Sequence, residues 1–395
     1  MNMHDQIEEA EVSILHTYNR FPVVFERGEG VYLYDTEGKR YLDFAAGIAV
    51  NALGYHYPGY DEALKAQIDK MLHTSNLYYN IPIVDAGNKL VLASRMNKVF
   101  FTNSGTEAVE GAIKAAKKYA YMKTGRAGHE IIAMKNSFHG RSIGALSVTG
   151  TDHYREPFEP LMGGVRFAEF NNLESVEALV NENTCAIICE TIQGEGGIHP
   201  ATRDFLRGLR RLCNEKDILL ILDEIQCGMG RTGYYFAWQA YGVQPDIMTT
   251  AKALGCGVPV GAFVLNKKAA SASLVPGDHG TTYGGNPFVC AAVNKVFEIY
   301  ERDMILPHVQ ELTPYLEERL DELVDKHSSV AERRGSGFMQ GLVITGKPVS
   351  QVINKALEKG LLVISAGTDV LRLVPPLVIS RAQVDEMIHI LDQCL

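Results

Sequence analysis

Basic residues are in short supply: 38 Lys and Arg against 47 Asp and Glu give a formal net charge of −9. That sign argues against a nucleic-acid partner, whose phosphates need a field of lysine and arginine. Long apolar runs are missing too. No stretch approaches the roughly 18 residues of a membrane span, and the mean hydropathy is −0.05. The chain opens MNMHDQIEEAEVSILH, with no Lys or Arg before Arg20. A secretory signal starts positive, so a cytoplasmic protein is expected. Cysteines number seven, an odd count, with no CxxC pair. Cys185 and Cys189 lie four apart in an apolar run, and strand alternation predicts that they face the same way. A zinc site would need two more ligands, and none stands nearby, so buried thiols and no metal are expected. No repeat and no low-complexity segment occurs.

What is present is ordinary globular composition, 46% hydrophobic and 22% charged over 395 residues. This length predicts two or three domains and a core that needs no staples. Strands are predicted at 98–103 (KVFFTN), 130–136, 185–190 (CAIICE), 218–224 (ILLILDE), 246–251 (DIMTTA) and 261–266. Their near-continuous apolar character fits strands buried on both faces. Helical patterns at 105–123 and 201–217 alternate with them, which predicts an α/β fold with a mostly parallel sheet and helices on both faces. Beyond residue 290 the character changes. A long charged amphipathic segment (301–330), punctuated by Pro307 and Pro314, precedes short strands at 341–346, 361–365 and 370–376 and a final surface helix. Near the start, VYLYD and RYLDF flank TEGK, a hairpin signal. The expected division is an N-terminal segment (1–50) packing with the small domain, a large domain (51–295) and a small α+β domain (296–395).

Ligands of open α/β sheets bind beyond the carboxyl ends of the strands. After the first strand, Ser104-x-x-Glu107 reads as a capping box with Gly105 and Thr106 in the first helical turn. It is either a plain capped helix or a phosphate cradle. Asp223 ends an apolar strand; it either caps the next turn or aims a carboxylate at a cationic ligand group. GMGRTG (228–233) matches GxGxxG only formally, because it does not follow the strand directly. Lys252 follows DIMTTA among small neighbours. It is either a solvated loop lysine or a desolvated amine able to form a Schiff base. The SFHGRS loop places Phe138 to stack on a planar ring and Arg141 to fork onto a carboxylate. His139 in the same loop reads as a hydrogen-bonded loop histidine. HGTTYGGNP adds paired hydroxyls, Thr281 and Thr282. Together these supply a phosphate cradle, a stacking ring, an acid and an amine, the set that pyridoxal phosphate needs.

Taken in order, NSGTEAVEGAIKAAKKY, NSFHGRSIGALSVTG, IQGEGG, LDEIQCGMGRTG, TTAKALGCGVPVGA, GTTYGGNP and LRLVPPL resemble a class III (subgroup II) pyridoxal-phosphate aminotransferase nearly end to end. The resemblance implies fold type I, the aspartate-aminotransferase fold. It implies that Lys252 joins the cofactor and carries the proton, and that Asp223 holds the pyridinium proton. It also implies that Gln226 bonds the ring hydroxyl and that Ser104, Gly105 and Thr106 bind phosphate. Thr282 of a second subunit would help, so a homodimer with shared sites is implied. Arg372 would pair the α-carboxylate of glutamate and Arg141 the distal carboxylate. Glu195 would neutralise Arg372 when the substrate presents an amine instead, and Thr281 would touch substrate across the interface. A structural Glu195–Arg372 ion pair is compatible with that switch. The FHGR loop, DEIQCGMGRTG and the short N-terminus are most similar to the acetylornithine branch. That branch implies δ-amino transfer from N2-acetylornithine to 2-oxoglutarate. Ornithine, succinylornithine, succinyl-diaminopimelate and broad ω-amino donors are the alternatives, since the acyl pocket is not legible. Two departures from the family pattern are Thr191, where Pro is common, and Cys256, where Gly is usual.

Overall fold

The computed structural model describes residues 3–395. An N-terminal meander of β1 (Phe25–Glu29), β2 (Tyr32–Asp35) and β3 (Arg40–Asp43) contains the expected hairpin. The central sheet holds β4 (Lys98–Thr102), β5 (Glu130–Met134), β6 (Val165–Ala168) and β7 (Thr184–Glu190). After the short ribbon of β8 (Ile192–Gln193) and β9 (His199–Pro200), it is completed by β10 (Leu219–Asp223), β11 (Ile247–Thr250) and β12 (Gly261–Leu265). The strand order is β4-β12-β11-β10-β7-β5-β6. Only β12 runs against its neighbours; the other pairs are parallel.

Every residue of β7, β10, β11 and β12 is buried. That is why these strands read as apolar runs rather than alternations. One face packs on the helix Gly105–Thr124 through Val109, Ala112, Ala116 and Phe263. The other packs on the helix Arg203–Glu215 through Phe205, Leu209, Ile187 and Leu222. The first helix lies so close to β12 that a Cβ on Gly111 would fall 2.2 Å from the Phe263 ring.

All seven cysteines are buried. Cys185 and Cys189, however, belong to opposite faces of the sheet, contrary to simple alternation. The β5–β7 ladder slips between Glu130 and Ile131, which pair with Thr184 and Ala186. Cys185 is the extra residue of that bulge, so alternation restarts after it.

Toward the C-terminus, β13 (Val330–Ser336), β14 (Met339–Ile344), β16 (Ile364–Ala366) and β17 (Val370–Leu373) form an antiparallel sheet. The strand expected at 361–365 is divided: β15 (Leu361–Leu362) leaves this sheet and pairs in parallel with β3. The charged segment is two helices, Pro287–Arg302 and Ile305–Lys326, separated at Met304 in a left-handed conformation. Pro307 does not interrupt the second helix, because it sits in the first turn, where no intrahelical donor is needed. Pro314 lies inside it. Among the described residues no helix is long and apolar enough to cross a membrane. Among them, too, no group of three or more His, Cys, Asp or Glu could hold a metal ion.

Candidate active site

The carboxyl ends of β4, β5, β7, β10 and β11 open on a cavity of about 400 Å³. At one end stands the N-terminus of the helix Gly105–Thr124. Ser104 is extended, and its Oγ accepts the Glu107 N–H at 3.3 Å. The Glu107 carboxylate reaches one residue further than a capping box requires, accepting from the Asn103 N–H (2.8 Å) and Nδ2 (2.9 Å). No hydrogen bond takes up the N–H groups of Gly105 and Thr106 among the described residues. Two glycines clear the space around them. A Cβ on Gly105 would meet Ile225 at 2.9 Å, and one on Gly140, at φ +137°, would meet Thr106 Oγ1 at 2.3 Å. Donors without partners at a helix N-terminus, with open backbone beside them, suit a phosphate.

Asp223, the last residue of β10, forms the floor. Its Oδ2 lies 2.7 Å from His139 Nδ1, and its Oδ1 accepts the Ile225 N–H at 3.0 Å. Both side chains are buried. Burial disfavours a charged His139, but the hydrogen bond and charge of Asp223 outweigh it and raise the imidazole above its usual value. The acid is thus hydrogen-bonded on both oxygens at the edge of the cavity. His139 Nε2 has no partner among the described residues.

Lys252 lies across the cavity, after β11. Its φ of +49° is a left-handed conformation that L-residues rarely adopt. Such strain is commonly found where function needs it. Burial first, and then the charge of Arg372, pushes the amine down to about 8. No hydrogen bond holds its Nζ among the described residues. An amine that gives up its proton this readily and has no partner to hold it can attack an aldehyde.

The other expected residues fall into three groups. Ser104, Gly105, Thr106, Phe138, Arg141, Glu195, Asp223, Gln226 and Lys252 all line the cavity. Arg372 stands behind it. Its Nη1 donates to Glu195 Oε1 at 2.7 Å and to Gln226 Oε1 at 3.1 Å. The bond from Gln226 to the arginine was not legible in the sequence. Arg141 meets no carboxylate; its guanidinium carbon lies 3.9 Å from the Tyr154 ring centroid and 5.2 Å from that of Phe138. Thr281 and Thr282 are not on the cavity wall. Thr281 Oγ1 accepts from Asn103 Nδ2 at 3.3 Å, and Thr282 is exposed.

Sequence reasoning missed two buried acids. Glu190 accepts the Phe138 N–H (2.9 Å) and the Gly194 N–H (3.0 Å). Glu224 accepts Thr191 Oγ1 (2.5 Å) and the N–H groups of Ala237 (2.7 Å) and Trp238 (3.1 Å). Burial pushes each up to about 7. Their signal was available: both are acids ending an apolar run, as Asp223 is. The two departures also find a structural account. The Thr191 hydroxyl is spent on Glu224. Cys256 sits at φ +48°, which explains the family's usual Gly, and its Sγ accepts the Leu53 N–H at 3.1 Å.

The cavity fits pyridoxal phosphate on these observations: unpartnered N–H groups at one end, a buried acid at the floor, an unpaired amine opposite and an aromatic ring on the wall. The profile of the class-III aminotransferases matches residues 14–395. The chain is 47% identical over 382 residues to the acetylornithine aminotransferase of Caldanaerobacter subterraneus, covering 97% of each. It is 46% identical to that of Methanocaldococcus jannaschii, covering 96% of this chain and 95% of the relative. Ornithine aminotransferase from Toxoplasma gondii superposes with a TM-score of 0.95 at 29% identity, over 100% of this chain and 95% of that one. N-acetylornithine aminotransferase from Stenotrophomonas maltophilia does so with a TM-score of 0.84 at 35% identity, over 98% of each. On sequence and fold alike, this chain belongs to the class-III aminotransferases.

Proposed function

We propose that the protein transfers the δ-amino group of N2-acetylornithine to 2-oxoglutarate, giving N-acetylglutamate 5-semialdehyde and glutamate. The observation that carries this reading is the Glu195–Arg372 pair beside the strained, deprotonatable Lys252. Pyridoxal phosphate, when bound, supplies an aldehyde for the amino group and a cationic ring that stabilises negative charge on the substrate carbon. Gly105 and Thr106 would hold its phosphate, with Ser104 shaping the turn and Thr282 of a partner subunit completing the cradle. Phe138 would cover the ring face and Gln226 would bond its hydroxyl. Asp223, hydrogen-bonded to His139, would hold the proton on the ring nitrogen. Lys252 Nζ would take the proton from the amine-bearing carbon and return it one position away.

Two substrates must use one pocket. Glutamate brings an α-carboxylate to the reacting end, and Arg372 would fork onto it. Acetylornithine brings only an amine and methylene there, and an unpaired buried guanidinium would oppose it. Glu195, a quarter exposed where Arg372 is 3% exposed, can swing away for the first and return for the second. Arg141, free of any carboxylate of its own, would receive the distal carboxylate, with Thr281 of the partner nearby. Glu195→Ala is therefore expected to slow the acetylornithine half-reaction on the order of tenfold more than the glutamate half-reaction. Stopped-flow absorbance of each half-reaction measures this, and equal losses would remove the switch.

The exposed apolar side chains of Leu77, Tyr79, Ile81 and Leu92 support a homodimer, as does the position of Thr282 outside its own cavity. The division at 1–50, 51–295 and 296–395 and a cytoplasmic location belong to the same proposal. The donor is tested by kcat/KM for acetylornithine, succinylornithine, succinyl-diaminopimelate and ornithine with 2-oxoglutarate. Acetylornithine is expected to lead, and a clear preference for ornithine would overturn the assignment.

A further inference from the structure

Two loops carry the groups that read substrate carboxylates, and one side chain ties them together. Phe138 begins the turn that ends in Arg141. Gly194 immediately precedes Glu195, the partner of Arg372. Glu190 closes β7, every residue of which is buried, and spends one carboxylate oxygen on each loop. Its Oε1 accepts the Phe138 N–H at 2.9 Å and its Oε2 the Gly194 N–H at 3.0 Å. A second tie, Gln193 Nε2 to the Lys135 carbonyl at 2.9 Å, lies further from both readers. The Gly194 side of the clamp has no slack, since a Cβ there would meet Gln226 Oε1 at 2.4 Å.

We infer that Glu190 is a positioning residue: its bidentate grip sets the separation between Arg141 on one loop and the Glu195–Arg372 pair on the other. The inference rests on the carboxylate-reading roles proposed above. A buried carboxyl group that accepts from two backbone donors is a stiff link, because each bond is shielded from water. A substrate that spans both readers depends on their spacing; one that touches a single reader does not. Glutamate spans both. Norvaline has the same chain and reacting end but a methyl group in place of the distal carboxylate.

The test compares half-reactions of the holoenzyme with glutamate and with norvaline in wild type, Glu190→Gln and Glu190→Asp. Gln keeps the shape but turns an N–H₂ toward one of the two N–H donors. Asp keeps the charge but is too short to reach both. In both variants the kcat/KM for glutamate is expected to fall about tenfold more than that for norvaline, chiefly through KM. Equal losses on the two substrates, no loss, or a normal Asp variant beside an impaired Gln variant would each overturn the inference; the last would show that only the charge matters. A wild type that does not prefer glutamate to norvaline would instead sink the reading of Arg141, and the two failures are thereby told apart. Hydrogen exchange of the wild-type holoenzyme needs no variant and covers the case in which neither substitution folds. The Phe138 and Gly194 amides should be slow and exchange at one common rate, whereas clearly separate rates would overturn the clamp.

Discussion

Lys252→Ala is expected to lower kcat by about 10⁴-fold, the upper range for a positioned acid–base group, because the same amine also makes the covalent attachment. Among the described residues no second amine is placed to substitute: the other carboxylic and basic groups on the cavity wall are the acids Glu190, Glu195 and Asp223, the imidazole of His139 and the guanidinium of Arg141. The loss should not come from unfolding. The folded value of the free amine is depressed, so at neutral pH the unfolded chain holds this proton more tightly than the folded one. Its burial thus opposes folding below about pH 8, and that penalty fades as the pH rises to the ordinary lysine range. Removing the amine should leave the melting temperature of the cofactor-free protein at neutral pH unchanged or higher. Single-turnover kinetics with glutamate, beside a thermal melt, give both answers. Near-normal turnover would sink the functional assignment.

Asp223→Asn should be nearly as severe, with kcat lowered on the order of 10²–10³-fold, the usual loss on removing one fixed group that stabilises developing charge. The amide preserves shape and can still accept the Ile225 N–H. It cannot hold a proton on a ring nitrogen by charge. It also removes the main partner that raises the His139 imidazole. With that attraction gone, burial opposes the charged ring with only Glu190 left to favour it, and the imidazole should titrate lower than in the wild type. NMR of the His139 ring tests this second effect without any turnover. An unchanged titration of the imidazole in the variant would show that Asp223 is not what raises it.

The sequence made the central sheet legible because four of its strands are buried throughout and leave unbroken apolar runs. It made the chemistry legible where the group sits at a strand's carboxyl end, as Asp223 and Lys252 do. Four things stayed hidden. Pairings across long separations, such as His139 with Asp223 and Glu190 with Phe138 and Gly194, leave no local spacing to read. A ladder slip of one residue at Cys185 moved a side chain to the other face with no compositional mark. The strand β13, VAERRGS, carries two arginines and a glutamate on a half-exposed ladder, so neither periodicity nor apolarity announced it. The break at Val363 was equally silent, since LLVIS is one apolar run whether it serves one sheet or two.

That break has a consequence for dissecting the molecule. Leu361 and Leu362 lie against Leu42 and Asp43, so the last hundred residues carry one strand whose hydrogen-bonding row is filled only by the chain's beginning. A fragment excised from residue 296 onward would expose this row to water and to other copies of itself, a template for edge-to-edge aggregation. During synthesis the opening hairpin must wait for its neighbour until nearly the whole polypeptide has been made, which places the joining of the two ends among the slow, non-local steps of folding.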